Sequence, residues 1–82
     1  MITTNTTLQE LFDAAVLSLK DVLPDEEFIV KDLFRGFEWN RIPRGDRTKL
    51  GSMFLAFAGK EGADLLETLG KTPQNQQIYR KK

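Results

Sequence analysis

The segment LLETLGKTPQNQQIYR, residues 65–80, decides which fold the sequence favours, because two structures suit its first half. Its three leucines have the spacing of a short helix that Gly70 would end. Alternatively, the segment forms two strands, from Leu65 to Lys71 and from Gln76 to Arg80, joined by a turn at TPQN. The second half has strand character, lacks helical spacing and needs a neighbouring strand. We therefore predict a β-hairpin.

A long helix is predicted near the start of the chain. Residues 1–6, MITTNT, are polar and are expected to be frayed, whereas Thr7 and Glu10 form a capping box directly before an apolar pattern. Pro24 ends the helix. The apolar residues recur at helical spacing and predict one inward-facing stripe: Leu8, Leu11, Phe12, Ala15, Leu19, Val22 and Leu23. Leu17 lies opposite, which we interpret as an ordinary surface leucine, the alternative being a dimer contact.

The middle of the chain predicts a short strand and two further helices. Phe28 and Ile29 suit a short extended piece, and Val30 to Phe34 has room for little more than one helical turn that Gly36 ends. The segment EWNRIPRGDR, residues 38–47, then forms a corner, and Pro43 starts the second long helix. The inward-facing residues of this helix are Leu50, Met53, Phe54 and Phe57, and Gly59 caps its C-terminus.

Gly51 stands out inside this second long helix. A glycine there costs about 1 kcal/mol relative to alanine. We expect it to allow close approach of another part of the backbone.

The predicted order is helix, short strand, short helix, long helix and hairpin, which is the order of a winged helix-turn-helix domain. The fold class is α+β, with three helices and a C-terminal two-stranded β-hairpin wing in one domain over residues 1–82. In such domains the short strand usually adds to the wing sheet. Residues 80–82 are expected to form a basic tail.

Composition argues against an enzyme and against a membrane protein. The chain contains no cysteine and no histidine, which removes thiol nucleophiles, the commonest general base and the commonest metal ligand. We therefore expect no catalytic site, no metal site and no cofactor. No apolar run reaches the roughly 18 residues of a membrane span, and the N-terminus does not resemble a signal peptide. A cytoplasmic location is expected.

Charge is divided unequally between the two halves of the chain. The net charge is zero, but residues 1–40 carry three basic and eight acidic side chains, whereas residues 41–82 carry nine basic and four acidic ones. This asymmetry predicts a basic surface on the third helix and the hairpin. Because the third helix of a helix-turn-helix unit enters the major groove of DNA, we predict a nucleic-acid-binding face there.

The predicted binding residues are basic or polar side chains of the third helix and the hairpin, namely Arg41, Arg44, Arg47, Thr48, Lys49, Ser52, Lys71, Asn75, Gln76 and Arg80. Arg41 and Arg44 have the alternative of bonding backbone carbonyls in the corner. Arg47 lies closer to the core side, so it either reaches the rim or pairs with Glu38 or Asp46. Trp39 is expected to be a core anchor rather than a base-stacking residue.

Three segments, FIVKDLF, EWNRIPRGDRTKLGSMF and LGKTPQNQQIYRKK, resemble a family of short bacterial and phage proteins catalogued as a domain of unknown function. The resemblance spans about residues 8–82. Some relatives carry the label single-stranded DNA-binding protein, which implies a nucleic-acid role with the strand preference open. The frequent occurrence of relatives on phages and mobile elements implies an alternative, a small protein that binds and inhibits a host protein, such as an anti-CRISPR-type inhibitor. Either a monomer or a homodimer is compatible with the sequence.

Overall fold

The computed structural model describes residues 2–82, so Met1 and its predicted fraying lie outside the described part. The fold is α+β, with three α-helices and a three-stranded antiparallel sheet. The helices are α1 (Leu8–Ser18), α2 (Gly36–Asn40) and α3 (Arg44–Ala58), and the strands are β1 (Glu27–Phe28), β2 (Leu66–Lys71) and β3 (Gln77–Lys81). Two 3₁₀ turns lie at Leu19–Asp21 and Val30–Leu33.

The first helix begins at the predicted capping box. The Glu10 amide donates to Thr7 Oγ1 at 3.2 Å, and the Thr7 amide donates to Glu10 Oε1 at 2.9 Å. These bonds satisfy two N–H groups that the helix leaves without partners. Leu17 is 62% exposed, as predicted, but Leu23 is 64% exposed although the apolar pattern placed it inward. The helical geometry ends at Asp21, so the spacing no longer describes Leu23.

The C-terminal segment forms the predicted hairpin, but the sheet has three strands, whereas the predicted fold class counted only the two of the hairpin. The strand order is β1-β3-β2, so the short strand β1 is the third member and β3 is central. Phe28 lies opposite Tyr79 in the register, and their rings stack with centroids 5.8 Å apart. This contact joins β1 to the hairpin.

The hairpin turn depends on Asn75, whose φ is +66°. Asparagine tolerates this left-handed conformation better than most residues. The Asn75 amide donates to the Thr72 carbonyl at 2.8 Å, and the Thr72 amide donates to the Gln76 carbonyl at 2.9 Å. These bonds close the tip of the hairpin.

Farther along the hairpin, the register of β2 against β3 shifts between Thr68 and Lys71. At this bulge the Gln77 side-chain amide donates to the carbonyls of Leu69 and Gly70. The Gln77 side chain therefore holds the bulge in place.

The predicted second helix is displaced along the chain. Val30–Leu33 is a 3₁₀ turn, and Gly36 begins α2 instead of ending a helix. The first part of the predicted corner is consequently helical, and the turn between α2 and α3 is reduced to residues 41–43. Pro43 precedes α3 directly, and Gly59 caps its C-terminus, as predicted.

Two clusters of buried side chains form the core. The first lies between α1, α3 and the sheet and contains Ala15, Leu19, Phe28, Leu33, Phe54, Ala58, Leu66 and Tyr79. The second lies around the α2–α3 turn and contains Ile2, Leu11, Trp39, Ile42 and Leu50.

Both ends of the described chain differ from expectation. Ile2 is only 8% exposed and its amide donates to Glu38 Oε2 at 3.2 Å, which contradicts a frayed start at this residue. Arg80 and Lys81 belong to β3 rather than to a free tail, and the Lys82 amide donates to the Leu65 carbonyl at 2.8 Å. None of the helices described is long and apolar enough to cross a membrane.

Candidate functional site

An open groove of about 520 Å³ runs between α3 and the β-hairpin, and we call it the hairpin groove. Side chains of α3 form one wall, and side chains near the hairpin turn form the other. Residues of the β1 region and the end of α2 complete it. The lining residues are Ile29, Val30, Lys31, Trp39, Arg47, Thr48, Gly51, Ser52, Leu55, Lys71, Gln74, Asn75, Gln76, Gln77 and Tyr79.

The charge of the hairpin groove has one sign. Lys31, Arg47 and Lys71 line it, and no Asp or Glu of the described chain does. Hydroxyl and amide side chains supply most of the other polar atoms. In a chain with 12 acidic and 12 basic residues, this lining is a local concentration of positive charge. Such a surface suits an anionic ligand.

The structure brings six of the ten predicted binding residues together in the hairpin groove: Arg47, Thr48, Ser52, Lys71, Asn75 and Gln76. They meet because the hairpin folds back beside α3. The other four, Arg41, Arg44, Lys49 and Arg80, do not line the groove. Arg44 and Lys49 are nevertheless exposed at the start of α3, so they extend the basic surface beyond it.

Arg41 is engaged within the protein. Its Nη1 donates to the carbonyl of Ile2 at 2.8 Å, and its guanidinium lies 5.0 Å from the centre of the Phe37 ring. The alternative of bonding a backbone carbonyl therefore describes Arg41, although the carbonyl belongs to the N-terminal segment rather than to the corner. This contact holds Ile2 against the second core cluster.

Arg47 also bonds the backbone rather than a carboxylate. Its Nε donates to the Ile42 carbonyl at 3.0 Å and its Nη2 donates to the Trp39 carbonyl at 3.2 Å. Trp39 is 9% exposed and belongs to the second core cluster, which matches the expectation of a core anchor. The predicted pairing of Arg47 with Glu38 or Asp46 is not formed within residues 2–82.

Arg80 forms an ion pair across the hairpin. Its Nη2 lies 2.7 Å from Glu67 Oε1, and this hydrogen bond and charge raise the pKa of Arg80. Within the described chain, no other ion pair is formed. Glu67 thus compensates the charge of Arg80, whereas Lys31 and Lys71 form no ion pair within the described chain.

Gly51 is one lining residue that the predicted binding set omits. It lines the hairpin groove, and beyond its own helix backbone and chain neighbours nothing lies within 4 Å of the place of a Cβ. The expected close approach by another part of this chain is therefore wrong. The helical cost of the glycine was visible in the sequence, but its position beside an open groove was not.

Tyr79 is a second omitted residue. Its side chain is 0% exposed, and its hydroxyl has no hydrogen-bond partner in the described structure. Burial raises the pKa of this hydroxyl to about 12. In the sequence Tyr79 shows only the strand character typical of aromatic residues, so nothing there distinguished it from a wholly apolar core residue.

A family model described as Domain of unknown function (DUF1413) matches residues 13–81. The chain belongs to this family. The DUF1413 match includes every residue that lines the hairpin groove, so the groove is built from the part of the chain that defines membership. No curated protein and no solved structure shows significant similarity to the chain.

Proposed function

We propose that this DUF1413 protein is a cytoplasmic nucleic-acid-binding protein that holds its ligand in the hairpin groove. The observation that carries the proposal is the lining of the groove, which combines Lys31, Arg47 and Lys71 with neutral polar side chains and, in the described chain, no carboxylate. Contacts from lysine and arginine to phosphates supply most of the affinity of proteins for nucleic acids.

The order of the elements supports a winged-helix mode of binding. A turn of three residues, 41–43, separates α2 from α3, which is the spacing of a helix-turn-helix unit. The hairpin lies beside α3, and β1 adds to it next to β3. In this proposal α3 is the recognition helix and the β2–β3 hairpin is the wing.

Different groups have different roles in the proposed complex. Lys31 and Lys71 neutralise phosphates, while Thr48, Ser52 and the amides of Asn75 and Gln76 hydrogen-bond to the strand. Arg44 and Lys49 contact the ligand outside the groove. Arg41, Arg47 and Arg80 mainly maintain the structure, because their guanidinium groups already have partners.

The test compares two double variants by fluorescence anisotropy with a labelled oligonucleotide, both single-stranded and duplex. Lys31→Ala with Lys71→Ala removes two cations from the groove, and Lys20→Ala with Lys60→Ala removes two exposed lysines outside it. We expect the first pair to weaken binding and to reduce the slope of log K against log salt by about 1.5–2, while the second pair changes neither. Equal effects of the two pairs, or no wild-type binding to either form at low salt, would contradict the proposal.

Exposed apolar side chains support a second candidate function, the binding and inhibition of a host protein by a small protein of a phage or mobile element. Leu17 is 62% exposed, Phe37 49% and Leu55 43%, and Leu55 lines the groove. Here we expect a partner to co-purify from a nuclease-treated lysate with the wild type and not with Leu55→Lys. Sedimentation at two concentrations distinguishes this from a homodimer.

A further inference from the structure

The backbone of Ile2 is held by side chains from α2 and from the turn that follows it. The Ile2 amide donates to Glu38 Oε2 at 3.2 Å, and the Ile2 carbonyl accepts a hydrogen bond from Arg41 Nη1 at 2.8 Å. The Ile2 side chain is buried and belongs to the second core cluster together with Trp39 and Ile42. This residue is therefore fixed through its amide, its carbonyl and its side chain.

Residues 2–7 form an ordered connection between α2 and the start of α1, and we call it the N-terminal strap. The Thr6 amide donates to the Thr3 carbonyl at 3.2 Å, and the Thr3 amide donates to Thr6 Oγ1 at 2.8 Å. Thr7 then caps α1. Within the strap only Ile2 is buried. Docking of the strap on α2 therefore depends on one apolar side chain and two hydrogen bonds.

The residues that hold the strap are chain neighbours of residues that Arg47 holds. Glu38 directly precedes Trp39, and Arg41 directly precedes Ile42. Arg47 donates hydrogen bonds to the carbonyls of Trp39 and Ile42. Both Arg47 and Trp39 line the hairpin groove. Because packed interiors transmit displacement from one side chain to the next, this short segment couples the strap to a wall of the groove.

We propose that Ile2 is a positioning residue of the hairpin groove, whose docking holds Trp39 and Arg47 in the arrangement that receives the nucleic-acid strand. This inference rests on the proposed function. Ile2 does not line the groove, so it acts through Trp39 and not by contact with the ligand. If the ligand binds the docked state more tightly, the apparent affinity falls in proportion to the fraction of molecules in which the strap is docked.

The test changes an uncharged residue, so a lost phosphate contact cannot explain its effect. Ile2→Ala removes most of the side chain that docks the strap, and Ile2→Val keeps most of it. Ala15→Gly is the control, because Ala15 is buried in α1 within the first core cluster and glycine there lowers stability without altering the second cluster. Trp39 is the only tryptophan, so its fluorescence emission reports on the second cluster.

We expect Ile2→Ala to shift the emission of Trp39 to longer wavelength and to weaken binding of a labelled oligonucleotide by about three- to tenfold. The slope of log K against log salt should stay as in the wild type, because no cation is removed. Ile2→Val should restore the wild-type emission and most of the affinity. Ala15→Gly should lower the melting temperature by about 4–8 °C and leave emission and affinity unchanged.

The other outcomes contradict the proposal in different ways. Wild-type affinity in Ile2→Ala, with or without a change in emission, would overturn this inference and leave the proposed function intact. Equal effects of Ile2→Ala and Ala15→Gly would also overturn it, because a general loss of stability would explain both. Loss of helical circular dichroism in Ile2→Ala would show that Ile2 is required for folding itself. Absence of wild-type binding would overturn the proposed function and this inference together.

Discussion

The Arg47 guanidinium lies 5.3 Å from the centre of the Trp39 ring and donates a hydrogen bond to the Trp39 carbonyl at 3.2 Å. A second bond, from Arg47 Nε to the Ile42 carbonyl, spans the turn between α2 and α3. One side chain of α3 thus joins the end of α2 and the turn that follows it. The angle between α2 and α3, and with it one wall of the hairpin groove, depends on this arginine.

Replacing Arg47 by lysine should therefore destabilise the protein although the charge is kept. An ammonium group cannot form both carbonyl bonds and stack on the indole as a planar guanidinium does. We expect the free energy of unfolding to fall by about 1–2 kcal/mol, measured by urea denaturation. Arg44→Lys is the control, since Arg44 forms no side-chain hydrogen bond or ion pair in the described chain and should change stability by less than about 0.5 kcal/mol. Equal stability of the two variants would contradict this role for Arg47.

Arg41 provides a second test that separates structure from binding. Because its guanidinium holds the Ile2 carbonyl, Arg41→Ala should lower the free energy of unfolding by about 1 kcal/mol. If the protein binds nucleic acid as proposed and Arg41 makes no phosphate contact, the salt dependence of oligonucleotide binding should stay as in the wild type. Lys49→Ala should instead reduce the salt dependence of binding and leave the free energy of unfolding unchanged, because Lys49 is exposed on α3. A smaller slope of log K against log salt in Arg41→Ala would show that Arg41 contacts a phosphate.

Gly62 is the glycine at which a side chain is least tolerated. A Cβ placed there would lie 2.5 Å from Phe57 Cε2. The Phe57 ring packs against Phe12 at 5.8 Å and Phe54 at 5.7 Å, so it cannot move away without losing these contacts. We expect Gly62→Ala to lower the free energy of unfolding by about 1–3 kcal/mol in urea denaturation. Gly36→Ala, at an open position, should not destabilise the protein, and similar losses in both variants would refute the steric explanation.

The sequence predicted helix ends correctly where a particular residue type favours a helix start or stop. The Thr7–Glu10 capping box, Pro43 and Gly59 mark helix ends in the structure as they did in the sequence. The prediction that Gly36 ends a helix was wrong: glycine is common at helix C-termini, but here it begins α2. The short strand predicted at Phe28 and Ile29 lies one residue earlier, at Glu27–Phe28, and its position is set by pairing with β3.

The candidate site was predictable in outline but not in the role of each residue. Charge asymmetry and the hairpin indicated which elements face each other, and six predicted residues do line the groove. What separates Lys71 from Arg41 is whether a carbonyl distant in sequence lies within reach, and Ile2 is 39 residues away from Arg41. A contact between residues so far apart leaves no periodic pattern in the sequence from which it could be predicted. The same reason hides the unpartnered hydroxyl of Tyr79.

Tyr79 also makes stability depend on alkaline pH. Burial disfavours the phenolate, so the pKa in the folded protein is about 12, against 10.0 for an unperturbed tyrosine. Between these values the unfolded chain has lost the proton that the folded chain retains. Stability therefore falls as the pH rises from about 10 to 12, by about 2–3 kcal/mol from this group.

Urea denaturation of the wild type and of Tyr79→Phe across this pH range measures that contribution, because the two proteins differ only in this hydroxyl. We expect the wild type to lose more stability than the variant as the pH rises. Since Tyr79 is the only tyrosine, the tyrosinate absorbance of the folded protein reports its ionisation directly. A midpoint near pH 10, or parallel loss of stability in the two proteins, would show that the hydroxyl is solvated in the folded state.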